Sequence, residues 1–575
     1  MTVLLSAYAA RSCPVKTQNA FDPTVASQTW QPDESLAELF DGGLEFEADV
    51  LRTWAASFPG TLVDLRPETE PDPDRRVETC LAAMRAGVDV ILGGRLPVDV
   101  PGHRSGSPDA LVRGTDQEDG TPRYHPVEVK WHKIIERRRL ARGLTPTPPL
   151  LYTTLSRPRP TPAERLAGHG LRLGNREADF IQLAHYQRLL ETAGFATPEV
   201  ALAAVIGTDD VLGPPVLAWI DLSEPLVRTF SRTEADGWRL RSLMDRYRHE
   251  HDFRVDVALV AQSQTGHPDT DPHLLVRPIV TSECGRCPWW EHCLPQLDPD
   301  DVSLRIDKGP LDVREIAALR QHGVQTITDL ANADLEALGE SYLPEVTHRS
   351  GAASRLAIAS RRARMLLSGE PFERETSGPI EVPGAELEID FDIETAKDGR
   401  IYLWGFLVDE VATGAPPRYV EFSRFTDLDA EGEAELAAEA LGWLAGLTAG
   451  PKSVRVYHYS AYEVAAIRAL ADRLRQPLFD QAASYAESEF VDLFEIVKAH
   501  FFGVAGLGLK MVASRAAGFR WRDEDPGGLN SQRWFADAVH ETDVDARAAA
   551  RQRVLDYNED DVIATSRVRA WLRAC

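Results

Sequence analysis

A chain of 575 residues is too long for one hydrophobic core, which sets an expectation of several domains. Its 43% hydrophobic and 26% charged residues are ordinary for a globular protein, and no apolar run is long enough to span a bilayer. The net charge of −26 repels polyanions, so nucleic acid could be held only in local basic grooves or at metal-loaded sites.

The start of the chain, Thr2–Ala10, is apolar but has no basic flank before it. It reads as a buried strand or helix start rather than a secretory segment, so a cytoplasmic protein is expected. Six cysteines follow, at 13, 80, 284, 287, 293 and 575. Cys284, Cys287 and Cys293 have the spacing of metal ligands rather than of a secreted disulfide framework. Three thiolates need a fourth, and Cys13 is the natural candidate. Spacing alone leaves zinc and iron–sulfur both open.

Residues 1–300 read as one α/β unit. A helix is expected over Leu44–Phe58, carrying Glu47, and a second over Val77–Arg85. The apolar run Val88–Leu92 should be a buried strand. Ser107–Arg113 and Val127–Trp131 then read as two strands of a hairpin around the turn-rich Gly114–Arg123. If they pair, Asp109 and Glu128 meet at one end of the sheet, with Lys130 on the face of Glu128. Two close carboxylates repel unless a cation lies between them, and an oxygen-rich site suits Mg²⁺ or Mn²⁺. Beside such an ion, a lysine can orient water and offset charge developing on a phosphate. Residues 143–162, rich in Pro and Thr, read as a loop insertion. After it come a helix bearing Gln182 and Tyr186, strands at Val200–Ile206 and Val216–Ile220, and a helix near Glu234–Arg248. Gln182 and Tyr186 share one helix face at i,i+4.

Pro108-Asp109 followed by Glu128-Val129-Lys130 resembles the PD-(D/E)XK nuclease signature. Glu47 on the first helix and the Gln182-x3-Tyr186 pair resemble RecB-type members. The resemblance implies catalytic roles for Glu47, Asp109, Glu128, Lys130, Gln182 and Tyr186. It places the metal at Asp109, Glu128 and Val129. Cys13 with Cys284, Cys287 and Cys293 likewise resembles the iron–sulfur staple of AddB and the CRISPR-adaptation nucleases. That implies a structural 4Fe–4S cluster joining the chain before the core to the chain after it.

Two basic stretches could face a nucleic acid: Lys133, Arg137, Arg138, Arg139 and Arg142, and later Arg349, Arg355, Arg361, Arg362 and Arg364. Each reads equally as a solvated helix face. Residues 301–375 look helical, and Leu319–Leu330 resembles a helix-hairpin-helix with its turn at Gly323, which would offer amides to phosphates. A plain packing module is the alternative.

In residues 380–575 the first strand is clear. Leu387, Ile389, Phe391 and Ile393 alternate with Glu388, Asp390, Asp392 and Glu394, so every acid lies on one face. Ile401–Leu407 completes a hairpin, and Ser453–Tyr459 runs into a helix with Glu463 in its first turns. Tyr557 and Asp561 stand one turn apart where a terminal helix opens. Asp392 with Glu394, then Glu463, then Tyr557-x3-Asp561 resembles the DEDDy exonucleases of the RNase H-like fold. The resemblance implies a site of Asp392, Glu394, Glu463, Tyr557 and Asp561 that trims from the 3′ end. Its four carboxylates, at 392, 394, 463 and 561, would hold divalent metal. The second motif departs from the family, with Glu463 for the usual Asp and His458 for the usual Asn. Asp390, Asp492 and Asp560 are near misses left outside the site.

The expected fold class is therefore α/β. A restriction-endonuclease-like domain (1–300) and an RNase H-like domain (380–575) flank a small helix-hairpin-helix-like module (301–375). The expected function is a metal-dependent DNA nuclease for single strands or ends, acting in repair or recombination. RNA processing is one alternative, and a binding scaffold with an inactive second site is another. There is no GxxxxGK[ST] phosphate loop, so any unwinding motor, a helicase, would be a separate partner.

Overall fold

A computed structural model describes residues 2–26, 34–137, 150–160, 164–166, 171–174, 176–209, 213, 215–267, 269–305 and 311–575. They fall into two compact units. One comprises Met1–Arg305, Leu311–Thr326 and Ala333–Ala357; the other comprises Ile306–Pro310, Ile327–Asn332 and Ile358–Cys575. The segment 301–375 is thus shared between the two units. No helix among the described residues is long and apolar enough to cross a membrane.

The first unit is built on an eight-stranded mixed sheet. Its strands are β1 (Leu62–Asp64), β2 (Val90–Leu92), β3 (Ala110–Arg113), β4 (Tyr124–Val129), β5 (Leu150–Thr154), β6 (Glu164–Leu166), β7 (Leu202–Ile206) and β8 (Val216–Asp221), in the order β1-β2-β3-β4-β7-β8-β5-β6. Strands β3 and β4 pair antiparallel with Ala110 opposite Val127, so the hairpin read from the sequence is present. Strand β4 pairs parallel with β7, and a parallel pair needs a crossover. Helix α2 (Glu177–Thr192) lies in that crossover and packs on β4. Alternation then sorts the side chains. Val127 and Val129 share a core with Val50, Leu51 and Trp54 of α1 (Glu34–Ser57), leaving Glu128 on the opposite face.

Two expectations for this unit need correcting. The Pro/Thr-rich segment is not simply a loop, because Leu150–Thr154 pairs antiparallel with β8; its Leu-Leu-Tyr-Thr-Thr composition suits a half-buried strand. The helix expected near Glu234–Arg248 begins later. Trp238–Ser242 is a strand paired with Pro225–Phe230, and α3 spans Leu243–Gln262. Gly237, at φ +70°, makes the turn, and the Ser242 hydroxyl caps α3 by accepting from the Asp245 amide at 3.0 Å.

The second unit contains a five-stranded sheet. Its strands are β9 (Leu387–Thr395), β10 (Ile401–Glu410), β11 (Arg418–Ser423), β12 (Val454–His458) and β13 (Val491–Asp492), ordered β11-β10-β9-β12-β13. Strands β9 to β11 are antiparallel, while β12 and β13 continue parallel to β9. The apolar face of β9 packs against α4 (Ala430–Thr448), α5 (Tyr462–Leu474) and α6 (Pro477–Glu489), burying Leu387, Ile389, Phe391 and Ile393. Its acidic face lies under α9 (Val544–Ala574). That last helix starts 13 residues before Tyr557, so Tyr557 and Asp561 sit in mid-helix rather than at its opening.

Candidate active sites

Six residues singled out in the first unit converge. Asp109 lies one residue beyond the paired part of β3, and its Oδ2 accepts from the Val129 amide at 2.7 Å. Glu128 is buried; its Oε2 accepts from Lys130 Nζ at 2.5 Å and from Gln182 Nε2 at 2.9 Å. The Gln182 amide also reaches the Tyr186 hydroxyl at 3.3 Å. Arg11 donates to Gln182 Oε1 at 2.6 Å, which turns the amide nitrogen toward Glu128. Glu128 Oε1 is buried without a hydrogen-bond partner. An orphaned carboxylate oxygen beside a second acid is what a bound cation would satisfy, so these residues fit a divalent ion.

Electrostatics agree. Burial, then Glu128 and Glu47, lift Asp109 well above the ordinary carboxylate range. Burial and Glu128 raise Glu47 as well. Lys130 is held charged: burial opposes the charge, but Glu128 and Asp109 outweigh it. Val129 enters through its backbone amide. Arg11 is a residue the sequence reading missed; it precedes Cys13 by two positions in a short turn with no motif around it. Asp179, one turn before Gln182 on α2, accepts from Arg11 at 3.4 Å and pairs with His132 at 2.9 Å.

In the second unit, Asp392, Glu394 and Asp561 each offer an oxygen within 4.8 Å of the others. Among the described residues this is the one group of three His, Cys, Asp or Glu side chains so compact. Each carboxylate accepts a neutral donor. Asn558 Nδ2 reaches Asp392 at 2.8 Å, the Ser531 hydroxyl reaches Glu394 at 2.7 Å, and Trp521 Nε1 reaches Asp561 at 2.6 Å. Burial and the neighbouring acids push Asp392 well above its usual range. Glu394 rises to about 8, through burial and Asp561, and Asp561 to about 6, mainly through burial. Three acids this costly to ionise together fit a divalent-metal site.

The rest of the acidic row is neutralised from within. Arg569 bonds Asp390 at 2.8 and 3.1 Å and also pairs with Glu388, while Arg573 reaches Glu388 at 2.6 Å. Helix α9 thus runs against β9 with Asn558, Asp561, Thr565, Arg569 and Arg573 as one polar stripe at i,i+3/i+4 spacing. That stripe was readable and was not read. Glu388 ends below its ordinary value because the arginines outweigh burial, whereas burial still lifts Asp390 to about 6. Asp560 faces Arg522 instead of the triad, and Asp492 caps the helix Leu493–His500.

Glu463 is buried in the first turn of α5, outside the compact triad. Its Oε2 lies 3.3 Å from His458 Nδ1, and its charge still raises Asp392. The two departures from the expected motif are therefore partners. The Tyr557 hydroxyl accepts from Lys510 Nζ at 3.3 Å, one helical turn before Asp561. Lys510 carried no sequence signal, because it opens a short helix far from every motif.

The thiols of Cys13, Cys284, Cys287 and Cys293 line one cavity with Ile279, Val280 and Trp289. No three of their sulfurs come within 4.8 Å of one another. Asn19 Nδ2 approaches Cys293 Sγ at 3.7 Å, and the Thr281 amide approaches Cys284 Sγ at 3.4 Å. Burial raises the thiols of Cys13 and Cys287, and lifts Cys293 to about 11.

The basic residues are mostly committed elsewhere. Lys133 is exposed; Arg137 closes a short strand, while Arg138, Arg139 and Arg142 lie outside the described residues. Arg361 bonds Glu373 at 2.8 Å and Glu375 at 2.6 Å, and Arg361 and Arg362 both lie over the Phe502 ring. Arg349 pairs with Asp312, Arg355 with Glu315, and Arg364 bonds Ser360. Gly323, at φ +83°, follows the helix Val313–Gln321, and its amide is used on the Arg320 carbonyl at 3.2 Å.

A β11-β10-β9-β12-β13 sheet with acids along its central strand and closing helix defines an RNase H-like fold. Residues 389–573 match the family model RNase_H_2 of the RNase H superfamily, and this part of the chain is an RNase H superfamily domain; the match leaves the N-terminal mixed sheet unassigned. A solved structure titled "3'-end specific recognition of histone mRNA stem-loop by 3'-exonuclease" aligns at 10% identity over 42% of this chain and 86% of that chain. Its TM-score is 0.19, too low to define a shared arrangement. None of the curated proteins compared matches the sequence.

Proposed function

We propose that this chain is a divalent-metal-dependent nuclease, with an exonuclease site in its RNase H-like domain and a second phosphodiesterase site in the N-terminal unit. The observation that carries the reading is the triad Asp392, Glu394 and Asp561, two of them buried, which holds three carboxylates together with neutral donors only. A divalent ion held there would supply Lewis acidity and an activated water. The chain's own contribution is positional. Asn558, Ser531 and Trp521 fix the carboxylate rotamers without removing their charge, and Tyr557 places a hydroxyl at the edge of the triad. Resemblance to DEDDy enzymes supplies the polarity, trimming from the 3′ end.

For the N-terminal unit the reading is a PD-(D/E)XK nuclease of RecB type. It is supported by the convergence of Glu47, Asp109, Glu128, Lys130, Gln182 and Tyr186. Asp109 and Glu128 would hold the ion, with Lys130 facing the scissile phosphate. Cys13, Cys284, Cys287 and Cys293 would hold a structural 4Fe–4S cluster. Four thiols on one apolar-walled cavity fit that donor set, as do two N–H groups directed at sulfur. A mononuclear zinc fits less well, since tetrahedral Zn–S bonds of about 2.3 Å bring sulfurs to roughly 3.8 Å. DNA single strands or ends are the substrate class proposed, in repair or recombination, with any helicase a separate partner.

The test uses the full chain on 5′-end-labelled single-stranded DNA, duplex DNA and RNA in Mg²⁺ or Mn²⁺, beside Asp392→Asn, Asp109→Asn and the double variant. Progressive shortening lost only in Asp392→Asn, with a separable cut lost only in Asp109→Asn, is expected. Digestion by the double variant at the parent rate would overturn the proposal, and the preferred substrate decides DNA against RNA. Iron and sulfide analysis of anaerobically purified protein, against Cys293→Ser, tests the cluster.

A further inference from the structure

Lys510 is a cation in the triad's neighbourhood that belongs to no motif. Its Nζ donates to the Tyr557 hydroxyl at 3.3 Å, lies 5.1 Å from that ring's centroid, and is anchored by the Pro526 carbonyl. The anchor matters, because a free lysine would sweep through many rotamers and hold nothing in place. Tyr557 stands one helical turn before Asp561 on α9, so ammonium, phenol and carboxylate follow one another along the edge of the site. The ammonium thus stands as a fixed positive charge beside the acidic cluster. Arg569 and Arg573 of α9 cannot take this place, since both are engaged by Glu388 and Asp390.

We propose that Lys510 is a positioning residue of the RNase H-like site: it clamps the Tyr557 hydroxyl in one orientation and acts as a resident cation against which the divalent ion must bind. The inference rests on the reading of this domain as a metal-dependent nuclease. Two consequences run in opposite directions. Without the ammonium, the carboxylates lose a competing positive charge, so a dication binds more tightly. Without the clamp, the Tyr557 hydroxyl loses its fixed orientation and turnover falls.

The experiment compares the parent with Lys510→Met and Lys510→Arg in the full chain. Mn²⁺ binding is titrated without substrate, by electron paramagnetic resonance of the free ion, and the Asp109→Asn background removes the N-terminal site. Lys510→Met is expected to bind Mn²⁺ on the order of tenfold more tightly while its turnover drops on the order of tenfold or more. Lys510→Arg keeps the parent's affinity. In a Tyr557→Phe background, Lys510→Met costs little further turnover, because the two act as a unit. A merely structural lysine would lower affinity and turnover together. Unchanged or weaker Mn²⁺ binding by folded Lys510→Met overturns the proposal, as does turnover equal to the parent's. The binding arm reads out even if the parent cleaves nothing, so failure of the nuclease reading and failure of this one are separable.

Discussion

In the N-terminal site Glu128 gives one oxygen to an ammonium and an amide, and keeps the other buried and unpartnered. In the C-terminal site each triad acid takes a neutral donor, and the Lys510 ammonium bonds Tyr557 rather than a triad acid. Both clusters gather acids from more than one element, yet they manage repulsion differently. A salt bridge fixes a carboxylate and cancels its charge, whereas an Asn, Ser or Trp donor fixes it and leaves the charge. The same strand β9 shows the contrast within a few residues. Its Glu388 and Asp390 are closed off by Arg569 and Arg573, while Asp392 and Glu394 are left open. The position of the arginines on α9, more than the row of acids, decides which of the four can serve a metal.

The comparison breaks most visibly at the acids. Asp392→Asn should cut 3′ shortening about 10³-fold while leaving the Asp109-dependent cut intact, read from single-turnover assays with each variant. If one substitution removes both activities, the sites are not independent.

The next effect is on stability. Arg569→Met leaves Glu388 and Asp390 buried with one guanidinium removed, and should destabilise the second unit by about 3–5 kcal/mol in denaturant unfolding. Double replacement of Glu388 and Asp390 by Gln and Asn should recover part of that loss.

A smaller and more diagnostic effect concerns pH. Glu394 is held near 8 and Asp561 near 6, both above their unfolded values. Between the unfolded and folded values the folded protein therefore binds more protons. The stability these groups contribute is complete below about pH 4 and is lost as pH rises through 6 and then 8. A dication must displace the same protons, so Mn²⁺ affinity should climb from pH 6 to pH 8. In the Asp109→Asn background, the rise in melting temperature on adding Mn²⁺ should grow over that interval and vanish when Asp392→Asn is added.

The smallest effects are at the basic residues. Lys133→Ala should weaken single-strand binding modestly and lower the salt slope by about one. Arg361→Ala should leave affinity within about twofold, because Glu373 and Glu375 already hold that charge. Anisotropy at two salt concentrations measures both.

Much of this was legible in the amino-acid order. Strict alternation from Leu387 to Glu394 yields a strand with one acidic face whatever surrounds it, since side chains on a strand repeat every second residue. The spacings Glu128/Lys130, Gln182/Tyr186 and Tyr557/Asp561 reported shared faces through the local periods of strand and helix. The strand at Leu150–Thr154 was obscured by flanking prolines, and the late start of α3 by a run of charged residues that suits helix and strand edge alike. The fates of equal-looking acids, the pairing of Glu463 with His458, the capture of Arg361, and the entry of Arg11 and Lys510 were not local properties. Each depends on which side chain from a distant segment is carried within about 3 Å, and only the packing of helices onto the two sheets determines that.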